Sequence, residues 1–317
     1  MRIKTLHIEY TTACNSKCIM CNYWKIGRPE IISSTIVAAA IAEQYSLGLK
    51  TVYFSGGECL MFADQLFPLV QQIRKSFPQL KIGLITNGIL LKKYYQEIAR
   101  LFAKVIVSLD TIDPKVYKAI RGEDALEIVK SGIHQLKTHN PETQVNLRVL
   151  VLDENVKGLI PIVDFGIAEH LDRISFLPEN SNSKTAFGRE GIDSIKNYGS
   201  KILLPTLKQT IQQIKSNYSA EMGRLLRNNV EDLEYIYSIY SGELTCFPRC
   251  NKASCSCVIG VDGKISPCFM IKGNQYASVN SSLQEILDSD EYTQTVQDIN
   301  EYRNMECKGC VCPKELT

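Results

Sequence analysis

Apolar and polar residues alternate from Ile3 to Tyr10, and short β-branched runs recur at Thr51 to Phe54, Lys81 to Thr86, Lys104 to Leu109, Gln144 to Val151 and Arg173 to Leu177. Such runs predict strands. Ser34 to Tyr45, Gln65 to Ser76, Leu91 to Phe102, Ala125 to Thr138 and Val156 to His170 read as the helices between them. Six strands joined by helical crossovers imply a parallel sheet with right-handed connections, either an open barrel or a doubly wound layer. After Leu177 the pattern changes. Pro178 to Gly191 is polar and loop-like, and two helical segments follow. The first has Pro205 in its opening turn and Leu207, Ile211, Ile214 and Tyr218 on one face. The second aligns Met222, Leu225, Leu226, Leu233, Ile236, Tyr237 and Tyr240. Beyond Cys246, Asp262 and Gly263 mark a hairpin turn between Cys257 to Val261 and Lys264 to Ser266.

A chain of 317 residues exceeds one parallel α/β barrel, which runs to about 250, so a barrel with a small appendage is expected. We divide it into a barrel at 1–180, a helical connection completing or flanking the barrel at 181–245, and a small cysteine-rich unit at 246–317. With 44% hydrophobic and 22% charged residues the composition is that of a globular protein with a sizeable core. The net charge of +2 gives no basic field for a phosphate backbone, which argues against nucleic acid as a partner. Met1 to Thr12 has neither the charge nor the apolar run of an export signal, and no apolar stretch is long enough to span a bilayer. No membrane association and a cytoplasmic location are the expectations.

Twelve cysteines change the picture most, because they are clustered: three between Cys14 and Cys21, Cys59 alone, and eight between Cys246 and Cys312. A disulfide framework is one reading. In a long chain without an export signal, close cysteine clusters point instead to metal. Cys14, Cys18 and Cys21 form a C-x3-C-x2-C array directly after the first strand, on the loop where parallel α/β proteins place their chemistry. Three thiolates suit a [4Fe-4S] cluster with one iron left without a protein ligand. Structural zinc needs a fourth ligand, and the nearest histidine, His7, lies within the strand.

The array resembles the signature of the radical S-adenosylmethionine (SAM) superfamily, and two further matches follow in chain order. Ser55-Gly56-Gly57-Glu58 after the second strand is similar to the family's GGE motif, in which backbone and carboxylate meet the amino group of the bound methionine moiety. Thr86-Asn87-Gly88 ends the third strand and Ser108-Leu109-Asp110 the fourth, as such proteins commonly show; Arg148 and Asn155 flank the end of the fifth. By this resemblance Gly56, Gly57, Glu58, Thr86, Asn87, Ser108, Asp110 and Arg148 bind the cofactor. Read from residue type alone, Thr86, Asn87, Ser108 and Asp110 also suit helix caps and turns. The resemblance runs from Ile3 to about Leu177 and implies a partial (β/α)6 TIM-like barrel. It also implies S-adenosylmethionine as cofactor and an external low-potential electron donor such as flavodoxin or ferredoxin.

Cys250 and Cys268 flank the hairpin, and Cys307 and Cys310 form a later C-x2-C pair. This pattern is similar to the twitch domain, the shortened form of the SPASM domain, and the resemblance makes these four the ligands of one auxiliary [4Fe-4S] cluster. Tetrahedral zinc is the alternative for four cysteines in two pairs. Cys312 is a further candidate ligand, Cys255 and Cys257 are candidate hydrogen-atom donors to a substrate radical, and Cys246 has no assigned role. Cys59 stands where many relatives carry proline.

The function so implied is reductive cleavage of S-adenosylmethionine to a 5′-deoxyadenosyl radical, followed by hydrogen abstraction from a substrate. The first strand starts near residue 3, so no N-terminal leader-binding domain is expected. That tilts the reading toward a small polar metabolite of sugar, aminocyclitol or nucleoside type, undergoing oxidation, epimerisation or decarboxylation. The alternatives are a maturase of ribosomally made peptides or proteins, whose leader-binding domain can be separate, and a non-catalytic iron-sulfur or zinc protein. Glu179, Asn180, Lys184 and Arg189 follow the sixth strand in a loop that could cover the barrel mouth or be a solvated linker.

Overall fold

Along β1 (Thr5–Thr11), Leu6, Ile8 and Tyr10 have no accessible surface and join one large cluster of buried side chains, while Thr5, His7 and Glu9 project from the opposite face. The same alternation gives the core Val52 and Phe54 from β2 (Thr51–Gly56), Ile82 and Leu84 from β3 (Lys81–Thr86), and Val105 and Val107 from β4 (Lys104–Ser108). β5 (Gln144–Val151) adds Val145, Leu147 and Val149, and β6 (Arg173–Pro178) adds Ile174 and Phe176. Helices α1 (Ser34–Ser46), α2 (Ala63–Ser76), α3 (Leu91–Leu101), α4 (Pro114–Arg121), α5 (Leu126–His139) and α6 (Leu159–Ala168) connect the strands. All six strands pair in parallel in sequential order. Right-handed crossovers therefore stack the helices on one face and leave the other concave. The result is the partial TIM-like barrel.

The computed structural model describes residues 1–179, 202–243, 250–271, 273, 281–301, 303–304 and 307. Asn180, Lys184, Arg189, Cys246, Cys310 and Cys312 lie outside the described residues. No helix among the described residues is long and apolar enough to cross a membrane.

Both free edges of the barrel sheet are covered. On one side β7 (Ser256–Ile259) adds in parallel to β1, and β8 (Ile265–Ser266) closes an antiparallel hairpin against β7 through the Asp262-Gly263 turn, with Gly263 at φ 82°. The C-terminal unit is thus continuous with the barrel sheet. The Cys255 carbonyl accepts from Lys4 N at 2.7 Å and Thr5 N at 3.2 Å, starting this seam before the strands proper begin. On the other side the backbone around Leu226 runs beside β6, with Ile174 N donating to Leu225 O at 2.7 Å and Arg227 N to Ile174 O at 2.9 Å.

That second seam corrects one expectation from periodicity. Met222, Leu225 and Leu226 do not belong to the helix that carries Leu233 and Ile236. Met222 and Leu226 bridge each other across a tight turn at 223–225, and α8 (Val230–Ser241) starts only after Asn229, whose side chain and that of Asp232 form a reciprocal cap. α7 (Leu204–Asn217) has Pro205 in its first turn and buries Leu207, Ile211 and Ile214, as expected. α4, α9 (Leu283–Asp288) and α10 (Asp290–Asn300) were not legible in the sequence. Six to eleven residues give too few repeats of a helical period, and their stability comes from caps at Asp113, Ser282 and Ser289.

The register also decides a cysteine. Cys257 pairs with Leu6, so its side chain lies on the helix-covered face, wholly buried, and cannot reach a substrate inside the barrel. Its candidacy as a hydrogen donor is withdrawn on that ground. A Cys257→Ser variant, which places a hydroxyl in an apolar layer, should lose about 1–3 kcal/mol of stability, read as a lowered urea midpoint, while Cys257→Ala should lose less and keep cofactor cleavage.

Candidate active site

β1 ends in a bulge between Glu9 and Thr11, where the pairing with β2 slips by one residue, and the chain turns out into the cysteine loop. The end of β2 then packs on that loop at backbone distance. Gly57 N donates to Thr11 O and Glu58 N to Ala13 O, each at 2.7 Å. A Cβ on Gly57 would sit 2.0 Å from the Ala13 carbonyl oxygen, and one on Gly56, at φ 129°, would sit 2.4 Å from that of Thr11. The Gly-Gly pair is thus fixed by the space left beside the loop as well as by any contact with a ligand.

Glu58 has no accessible surface. Its carboxylate accepts from Thr86 Oγ1 at 2.9 Å, Asn87 N at 2.7 Å and Leu60 N at 3.1 Å. Burial pushes its pKa up to about 7 against the downward pull of Asn87, Leu60 and Thr86. The carboxylate therefore locks the ends of β2 and β3 together instead of facing the mouth of the loop. Asn87 carries the link onward: its Nδ2 donates to Asn15 Oδ1 at 2.8 Å and approaches Cys14 Sγ at 3.8 Å.

Cys18 is held from a different direction. Lys17 N donates to Arg121 O at 3.0 Å, Ile19 N to Ile120 O at 2.9 Å, and Ser16 Oγ to Arg121 O at 2.9 Å, so the loop adheres to the end of α4. α4 stops there because Gly122 turns left-handed at φ 73°, in a space where a Cβ would meet Lys17 O at 2.6 Å. The buried Arg121 reaches back, with Nη1 3.8 Å from Cys18 Sγ and Nη2 2.5 Å from Asp110 Oδ2. Burial opposes its charge, but Asp110, Cys18 and Tyr117 outweigh that and hold the guanidinium protonated. Trp24 Nε1 donates to the carbonyls of Cys21 at 2.8 Å and Cys18 at 3.2 Å, closing the third side.

Among the described residues no three Cys, His, Asp or Glu side chains are close enough to hold one metal ion, and the three loop cysteines are included in that statement. They nonetheless interact electrostatically with one another. Thiols near each other but not converging on a point fit a multi-iron core, in which each sulfur takes its own iron. The donor set agrees, since Asn87 and Arg121 offer N–H groups to sulfur. Burial, reinforced by Glu58, Cys18 and Cys21, pushes the Cys14 thiol up to about 12, so its proton leaves when a metal arrives.

Other expected site residues are placed differently. Asp110 is buried, accepting from Leu150 N at 2.8 Å as well as pairing with Arg121, and Asn155 bonds to Asp110 O, Leu150 O and Leu152 N. Both support the ends of β4 and β5 from within. Ser108 and Arg148 share register on the concave face, half-buried. Cys59 is buried, its Sγ donating to Ser55 O at 3.0 Å in a short turn that Glu58 caps. Cys250 and Cys268 are half-buried and Cys307 is buried; with Cys310 outside the described residues, their ligand role stands as a proposal. Cys255, half-buried, lies near Cys250. Glu9 accepts from Tyr23 Oη at 2.9 Å and approaches the turn carrying Gly260 and Asp262, so one carboxylate spans the cysteine loop and the C-terminal hairpin. Arg121, Asn15 and Glu9 were missed by motif reading. For Arg121 a signal existed: an Asp-Pro helix start followed eight residues later by Arg-Gly.

Residues 8–166 match the Radical SAM superfamily, and residues 250–311 match SPASM, an iron-sulfur cluster-binding domain. This chain belongs to the radical SAM superfamily. It is an enzyme whose cofactors are [4Fe-4S] clusters and S-adenosylmethionine. A probable GTP 3′,8-cyclase of Methanococcus maripaludis is 34% identical over 184 residues, covering 56% of this chain and 60% of that protein. The chain thus matches about three fifths of the length of that curated relative. Among solved structures, native anSMEcpe with bound AdoMet superposes with a TM-score of 0.71 at 14% identity, covering 98% of this chain and 89% of that one. Streptococcus suis SuiB bound to precursor peptide SuiA gives 0.70 at 16% identity, covering 93% and 67%. At these identities the two structures establish the fold.

If each of the three thiolates holds one corner of a [4Fe-4S] cluster, replacing Cys14, Cys18 and Cys21 together by alanine should remove about four irons per chain from the anaerobically reconstituted protein. Iron analysis and the loss of 5′-deoxyadenosine formation measure this.

Proposed function

We propose that this enzyme abstracts hydrogen from a small polar metabolite of sugar, aminocyclitol or nucleoside type, held inside the barrel below the cysteine loop. The observation that supports this reading is His7. It lies on the concave face of β1, buried at 5% exposure, and among the described residues neither ring nitrogen has a hydrogen-bond partner. Its ring stacks on Tyr53 at 5.3 Å and meets Phe269 edge-on at 4.9 Å. Burial, with Lys252 and Arg148 adding to it, lowers its pKa, so it is a neutral imidazole with one donor and one acceptor. Asn146 Oδ1, also on the concave side, is buried without a partner among the described residues. Unsatisfied buried polar atoms are costly, and two of them on a concave face are accounted for by a ligand rich in hydroxyl or amide groups.

A [4Fe-4S] cluster held by Cys14, Cys18 and Cys21 would supply the single electron for reductive cleavage of S-adenosylmethionine to methionine and a 5′-deoxyadenosyl radical. The chain's own part is placement. Gly56 and Gly57 keep the strand end low enough for a ligand to lie on it, Glu58 and Asn87 fix the loop that carries Cys14, and the apolar wall of Tyr53 and Phe269 keeps water from a reactive radical. His7 and Asn146 orient the substrate. The relative's name, GTP 3′,8-cyclase, favours a metabolite with a nucleoside part, and a peptide is the competing substrate class.

Anaerobic protein given S-adenosylmethionine and dithionite should form 5′-deoxyadenosine, and a nucleotide or aminosugar panel should accelerate this where unstructured peptides do not. His7→Phe should keep the slow substrate-free cleavage but lower the substrate-stimulated rate about tenfold or more, the worth of one buried hydrogen bond of ~1.5 kcal/mol. Stimulation by peptides alone would overturn the assignment.

A further inference from the structure

Cys18 is the cysteine whose sulfur faces a buried full charge. Arg121 Nη1 stands 3.8 Å from Cys18 Sγ, and Nη2 of the same guanidinium stands 2.5 Å from Asp110 Oδ2. The side chain of Arg121 is 9% exposed and that of Asp110 1%. Both ends of the arrangement are fixed. Asp110 accepts from Leu150 N at 2.8 Å, and the Arg121 carbonyl receives Lys17 N and Ser16 Oγ, so the arginine's backbone is bonded to the same loop that its side chain touches. An ion pair buried only for stability is weak support, since two apolar side chains of similar size serve a fold about as well. Here the guanidinium makes a second contact that an ion pair does not need, and that contact is a cluster ligand.

We infer that Arg121 sets the reduction potential of the cluster on Cys14, Cys18 and Cys21 by donating to the Cys18 sulfur, with Asp110 as the counter-charge that offsets part of the guanidinium's field. This rests on the function proposed above. On taking up one electron from a low-potential flavin or iron-sulfur donor, the cluster with its thiolates gains one negative charge. A nearby cation in a low-dielectric site stabilises that reduced form, and N–H···S bonds act in the same direction. Asp110 opposes the effect with its own charge from farther away. Arg121 is then a brake on reducing power: it makes the cluster easier to charge and the electron less energetic when delivered to the sulfonium.

Opposite signs make the inference testable. Arg121→Gln, which removes the charge, should shift the midpoint potential to more negative values in an EPR-monitored redox titration of the reconstituted protein. Arg121→Lys, which keeps the charge on a shorter head, should fall between it and the wild type. Asp110→Asn keeps an oxygen for Leu150 N but leaves the arginine uncompensated, and should shift the potential to more positive values. A merely structural role would not produce shifts of opposite sign at constant iron content. Should Arg121→Gln fail to load iron, Asp110→Asn alone decides, and an unchanged or more negative potential there overturns the inference. Equal potentials in all loaded variants overturn it too, while the proposed function stands if the wild type still forms 5′-deoxyadenosine. A wild-type protein that binds no iron at these cysteines removes both.

Discussion

Taking the carboxylate of Glu58 wholly out of water costs several kcal/mol unless donors replace the lost hydration, and the donors that do so come from two separate places in the chain. Thr86 and Asn87 belong to the end of β3, and Leu60 to the turn after β2. Their convergence holds the strand ends at one level, and Asn87 then reaches the cysteine loop at Asn15 and Cys14. With the Gly57 backbone lying against Ala13, the loop has a rigid floor. The position of the three thiols depends on that floor, because a group displaced by an ångström loses its working geometry.

The loop is also gripped from above. Arg121, Asp110 and the turn at Gly122 bring α4 onto Lys17 and Ile19, and Trp24 closes over the carbonyls of Cys18 and Cys21. Three independent anchors on a run of eight residues, Cys14 to Cys21, explain how a loop without regular structure can present three thiols in a fixed array. The barrel supplies the anchors at the carboxyl ends of its strands, where parallel architecture leaves loops free to vary.

The C-terminal unit is less separate than its cysteine content suggests. β7 continues the barrel sheet at β1, and Glu9 spans from Tyr23 of the cysteine loop to the hairpin turn. Pairing also removes an exposed sheet edge, which a lone barrel of six strands would present.

Spacing in the chain was enough for the parallel α/β barrel and the iron-sulfur chemistry, because strand periodicity is local and a C-x3-C-x2-C array is a short-range pattern. The Asp262-Gly263 hairpin was legible for the same reason. The pattern could not separate Met222 to Leu226 from the helix after them, since these apolar residues happen to fall at helical spacing although the backbone turns at 223–225. Nor could it give Glu58 its donors, Arg121 its cysteine, or Cys257 its face. The contacts of Glu58 with Thr86 and of Arg121 with Cys18 join residues 28 and 103 positions apart, and the face of Cys257 depends on which residue of β1 it pairs with. Register and long-range approach are settled only when the whole sheet closes, so the tertiary structure alone decided which polar residues line the site and which hold it up.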